Sequence, residues 1–134
     1  MVVTFDAPHE AAGTVLNGEY PSGVINWGAQ NWRIAAPGCR FGTFNLALTQ
    51  PESTHAEFQF YAPRVFAGID VCNKGSSPSV LTLHAPEVPE ISYTVEPGQL
   101  RHIRTGWSKA ISGVSFGLKN GAGLVFDNLA YTPE

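Results

Sequence analysis

The chain has 134 residues with 14% charged and 43% hydrophobic side chains and a formal net charge of −3. It is too apolar for a disordered chain, lacks the basic surface that nucleic acid needs, and has no apolar run near the roughly 18 residues of a membrane span. Low charge with 14 glycines and 10 prolines is the composition of one turn-rich β domain over residues 1–134.

In chain order, short period-two runs alternate with turn residues, and no helical stripe intervenes. Val3 and Phe5 alternate first. Val24-Ile25-Asn26-Trp27 follows the turn Pro21-Ser22-Gly23. Phe44, Leu46 and Leu48 share a face. Phe58 and Phe60 alternate with Glu57, Gln59 and Tyr61, and Val65, Ala67, Ile69 and Val71 form a further apolar face. Asn73 to Pro78 is a turn cluster. Leu81 and Leu83 come next, then Ile91, Tyr93 and Val95, the turn Glu96-Pro97-Gly98 and a weaker run from Leu100 to Ile103. Val114, Phe116 and Leu118 precede the turn Asn120-Gly121-Ala122-Gly123, and Leu124 to Tyr131 closes the pattern. Nine or ten strands predict an all-β fold, an antiparallel β-sandwich of jelly-roll type with two packed sheets. Cys39 and Cys72 admit one disulfide or two buried thiols.

Catalytic signatures are missing from the sequence: no nucleophile elbow, zincin motif, phosphate loop or dinucleotide fingerprint. His9, His55, His84 and His102 are scattered, and a sandwich of this size leaves little room for a glycosidase cleft. No catalytic residue is expected.

The aromatics carry more. Sugar rings lay C–H patches on aromatic faces while their hydroxyls bond to amides and guanidinium groups. Trp27-Gly28-Ala29-Gln30-Asn31-Trp32-Arg33 combines those groups, Tyr20 and Tyr61 lie at or near turns, and Trp107 follows Thr105-Gly106. The candidate carbohydrate contacts are therefore Trp32, Trp107, Trp27, Tyr20, Gln30, Asn31 and Arg33. Core packing is the alternative for each indole. Trp27 lies within a strand-like run, whereas Trp32 sits between Asn31 and Arg33, which points it to a ligand. Asp127 falls, by period two, on the face of Val125, Leu129 and Tyr131. A carboxylate there needs a partner, and calcium held with Asp6 would supply one; a capping hydrogen bond is the alternative.

Two end segments carry a resemblance. Val3-Thr4-Phe5-Asp6 with Gly18 to Trp27, and Trp107 to Phe116 with Val125-Phe126-Asp127-Asn128-Leu129, resemble the opening and closing strands of β-sandwich carbohydrate-binding modules. The resemblance implies a secreted, non-catalytic, monomeric module excised from a larger protein. It would bind a plant or microbial polysaccharide for a tethered glycoside hydrolase, with a structural calcium on Asp6 and Asp127; the low net charge suits a neutral polymer of β-glucan or xylan type. A structural or adhesive sandwich without sugar binding is the alternative.

Overall fold

The computed structural model describes residues 2–3, 15–16, 18–20, 23–28, 32–35, 45–48, 55–120 and 124–132. Among them are eleven strands and no helix. They are β1 (Val2–Val3), β2 (Val15–Leu16), β3 (Ile25–Asn26), β4 (Trp32–Ala35), β5 (Asn45–Leu48), β6 (His55–Asn73), β7 (Ser79–His84), β8 (Ile91–Val95), β9 (Leu100–Arg104), β10 (Ile111–Lys119) and β11 (Leu124–Thr132). All pairings are antiparallel. Sheet A runs β2-β4-β5-β11-β6-β9, with β1 also on β11. Sheet B runs β3-β6-β10-β7-β8. The all-β antiparallel sandwich expected from the sequence is the fold observed.

The long strand β6 serves both sheets. His55 to Gln59 pairs with β10 in sheet B, and Val65 to Asn73 pairs with β11 in sheet A. Between them the register slips: β10 advances two residues, from 111 to 113, while β6 spans five, from 59 to 64. The surplus forms a bulge around Tyr61 and Pro63, a place where proline's missing N–H is tolerated.

Ring upon ring fills the space between the sheets. Phe58 lies 5.1 Å from Trp27, 5.4 Å from Phe60, 5.8 Å from Phe66 and 5.9 Å from Phe116. Phe116 meets Phe126 edge-on at 5.4 Å. Such tilted and edge-to-face pairs add stabilisation beyond the area they bury. Asn73, fully buried, donates to the carbonyls of Ser77 and Val95 and accepts from the Gly75 N–H, so this interior amide is satisfied.

Two bulges correct the simple alternation. From Asp127↔Asp70 to Ala130↔Gly68, β11 carries one extra residue; from Ala130 to Tyr131, β6 carries one extra residue. Asn128 adopts φ 54°, the left-handed region. Asp127 is thereby uncoupled from Leu129 and Tyr131, which join Leu124 and Phe126 in the core. On β6 it is Phe66 that enters the core, while Val65 and Ala67 stay half-exposed. At Gly68 an added Cβ would sit 2.1 Å from the Ile103 carbonyl oxygen, so glycine is required for β6 and β9 to approach. Cys72 is in a disulfide. The chain's other cysteine, Cys39, lies outside the described residues.

Candidate functional site

All three indoles are buried. Trp32 has no exposed surface; its Nε1–H donates to the Glu57 carbonyl at 2.9 Å, and its ring meets Phe116 at 5.2 Å. The open platform expected at Trp32 is therefore not formed by this side chain. The reason is alternation itself: polar Asn31 and Arg33 flank Trp32, so period two sends Trp32 to the opposite side, inward. Trp27 is equally buried, donates to the Tyr20 carbonyl at 2.6 Å and stands edge-on to Trp32 at 5.4 Å. Its candidate role as an open sugar contact meets the same obstacle. Tyr20 is half-buried against the core. Arg33 lies in β4 opposite Val15 and Ala47; its side chain, with Gln30, Asn31 and Asp6, lies outside what the structure describes.

The outer faces of the two sheets differ. On sheet A, register aligns Asp127, Asp70 and His102 across β11, β6 and β9. His102 Nδ1 donates to Asp70 Oδ1 at 2.8 Å, and Asn128 Nδ2 donates to Asp70 Oδ2 at 3.0 Å. Asp127, 2% exposed, accepts from the Asn128 N–H. Asp127 offers a hard oxygen donor of the kind calcium takes. No group of three or more His, Cys, Asp or Glu among the described residues is arranged to hold a metal.

Sheet B presents an open polar face. Its rows are Asn26–Gln59–Gly113, Glu57–Ser115–His84 and His55–Gly117–Thr82–Ser92. At the β6 bulge stands Tyr61, 51% exposed, the exposed large hydrophobic side chain among the described residues. The Tyr61 N–H donates to the Val24 carbonyl. Partial desolvation, and then the Glu19 carboxylate bonded to it, raise the phenol above its ordinary pKa. Two hollows of about 190 Å³ each adjoin over Glu57, Phe58 and Gln59, one toward Asn26 and Gly28, the other toward Gly113 and Ser115. Tyr61 is legible in the sequence, since alternation from Glu57 through Gln59 places it outward.

Trp107 lies elsewhere, in a cavity of about 480 Å³ between the loops that follow β7 and β9. Its indole Nε1–H donates to the Pro89 carbonyl at 2.9 Å, and its ring is 6% exposed. Lys109 pairs with Glu87 at the rim and holds the Glu87 carboxyl below its ordinary pKa.

No family model matches the chain, and no curated protein sequence does. A solved mutant of a family 29 carbohydrate-binding module, from work on ligand recognition by that family, is similar over 96% of this chain and 91% of its own, with 12% identity and a TM-score of 0.47. Ligand recognition is there a property of that module.

Proposed function

We propose that this chain is a non-catalytic carbohydrate-binding module that lays a neutral polysaccharide on the open face of sheet B. The observation that carries the reading is Tyr61, an exposed ring two residues along β6 from Gln59, which lines two hollows that also offer Asn26, Glu57 and Ser115. An aromatic face for C–H patches, next to side chains that bond hydroxyls, is the pairing a sugar chain asks for. Trp107 stands apart from this face, in the loop-end cavity it lines. A β-glucan or xylan, a tethered glycoside hydrolase, a monomeric secreted state and a calcium on Asp6 and Asp127 complete the proposal. Each contact is weak, and tethering multiplies its effect by raising the local concentration of the attached enzyme.

Burial of all three indoles is what a purely structural or adhesive sandwich would also have. Affinity electrophoresis against a panel of soluble β-glucans, xylans and mannans separates the two. Retardation by at least one neutral polymer, lost in Tyr61→Ala, is the expected result; migration unchanged in every gel contradicts it. For calcium, chelation lowers the melting temperature and Asp127→Ala removes that response. A site held at a hundredfold excess over Kd contributes about 2.7 kcal/mol. A melt unmoved by chelation, in protein that elemental analysis finds free of calcium, contradicts the metal.

A further inference from the structure

The hollows of sheet B do not end at its edge. The hollow toward Ser115 shares Pro86 and Ser112 with a third, of about 240 Å³, and that one shares Glu87 with the Trp107 cavity of about 480 Å³. Shared lining residues thus link the four in series, from Asn26 at β3 to Trp107 at the loop end. The last member differs in chemistry from the rest.

Val88, Pro89, Ile91 and Trp107 line the loop-end cavity with apolar surface. Among the lining residues, Trp107 Nε1 is engaged with the Pro89 carbonyl and Thr105 Oγ1 with the Phe66 carbonyl at 2.6 Å, while Ser108, Glu87 and Lys109 lie exposed at the rim. A sugar ring pushed into this space would bring hydroxyls to two groups with no donor hydrogen to spare, and an unpaired buried hydroxyl is unfavourable. At the rim the Lys109 ammonium and the Glu87 carboxylate offset each other, so the mouth favours neither cations nor anions. An uncharged, apolar ring meets all three conditions. There is room for one, since an apolar cavity of about 150 Å³ accepts benzene.

We propose that this cavity takes an aryl group carried on the glycan, so that the module prefers aryl-substituted chains over bare ones. The inference rests on the open-face reading, because the series of hollows leads the substituent to the cavity. Trp107 lines the cavity as a wall, and Val88 and Ile91 supply the apolar contact.

The test compares methyl and 4-nitrophenyl glycosides of cellotriose and xylotriose by calorimetry on the full chain. The aryl glycoside should bind about tenfold more tightly than the methyl glycoside of the same sugar. Val88→Lys, which places an ammonium at the apolar wall, should erase that advantage and leave the methyl glycoside unaffected. Ser108→Trp, made from an exposed rim position, should plug the mouth with the same result if Val88→Lys does not fold. Tyr61→Ala should weaken both glycosides together. Equal affinity for the two glycosides overturns the inference and leaves the open-face reading standing. If neither glycoside binds, that reading fails and 4-nitroanisole, an uncharged aryl probe, decides the cavity alone. Shifts of the Gly106 and Ser108 amide resonances would then support an aryl site, and their absence would overturn it.

Discussion

The outer faces of the two sheets carry similar residue types and have opposite fates. Sheet A presents Asp127, Asp70 and His102 in one row; sheet B presents Glu57, Ser115 and His84 in one row. In the sheet A row the two carboxylates are turned inward, and only His102 reaches solvent. Both Asp70 oxygens are occupied, by His102 and Asn128, and Asp70 and Asp127 are buried. On sheet B, Glu57 and His84 stand in solvent, where their ion pairs with His55 at 3.8 Å and Glu90 at 3.5 Å are exposed and weak. A polar group already bonded within its own chain has little left for a ligand. A polar group in solvent exchanges water for a ligand at small cost. The face that looks less organised is therefore the one fit to recognise something.

The comparison breaks most severely in the core the two faces share. Trp32→Ala empties a fully buried site between the sheets and should destabilise by about 3–5 kcal/mol, read as a shift in the denaturation midpoint. A variant that keeps its stability would place the indole outside the core.

Gly68 and Gly117 sharpen the contrast with one chemical change. Gly68→Ala drives a Cβ into the Ile103 carbonyl and should cost about 3 kcal/mol, the upper part of the range for overpacking. Gly117→Ala, whose Cβ would rest 3.7 Å from Thr82 Cβ on the open face, should be neutral or stabilise by about 0.4–1 kcal/mol. Equal effects at the two positions would mean that one of these faces is misassigned.

A third pair sets the two rows against each other. Asp70→Ala removes the partner of both His102 and Asn128 and should cost about 1–2 kcal/mol, the net worth of two hydrogen bonds whose other ends reach water. His84→Ala, at the surface of sheet B, should stay within about 0.5 kcal/mol of the parent. Thermal melts of both variants check the difference.

The smallest effect concerns the rim of the loop-end cavity. Lys109 lowers the Glu87 pKa, so the pair's contribution is present above the ordinary carboxylate range and is lost only as pH falls through the depressed value. Glu87 should thus titrate below the ordinary carboxylate range in a carboxyl-detected NMR titration. Lys109→Ala should bring it back up.

Much of the architecture was legible as alternation. The runs 57–61, 81–83, 91–95 and 114–118 all lie in the observed strands β6, β7, β8 and β10, and the turn at Asn73 to Pro78 separates β6 from β7. Alternation failed where an extra residue entered a strand. Nothing in Val125-Phe126-Asp127-Asn128-Leu129 announces that Asn128 takes φ 54°, because that conformation is set by pairing with β6, a partner distant in sequence. The merging of 55–61 and 65–73 into one strand was hidden for the same reason, since Pro63 reads locally as a break and is accommodated by a bulge between two sheets. The site suffered from a different error. Polar neighbours do not mark Trp32 as facing a ligand, because in a strand the neighbours of an inward residue point outward. The same rule, applied to 55–61, marks Tyr61 as the aromatic left in solvent.

Amide chemical-shift mapping during titration with a soluble oligosaccharide from whichever polymer retards the protein tests the central claim most directly. The open-face account predicts shifts at Asn26, Glu57, Gln59, Tyr61 and Ser115, with Asp70, His102 and Asp127 unmoved. Shifts gathered instead on Asp70 and His102 would contradict it and assign binding to sheet A.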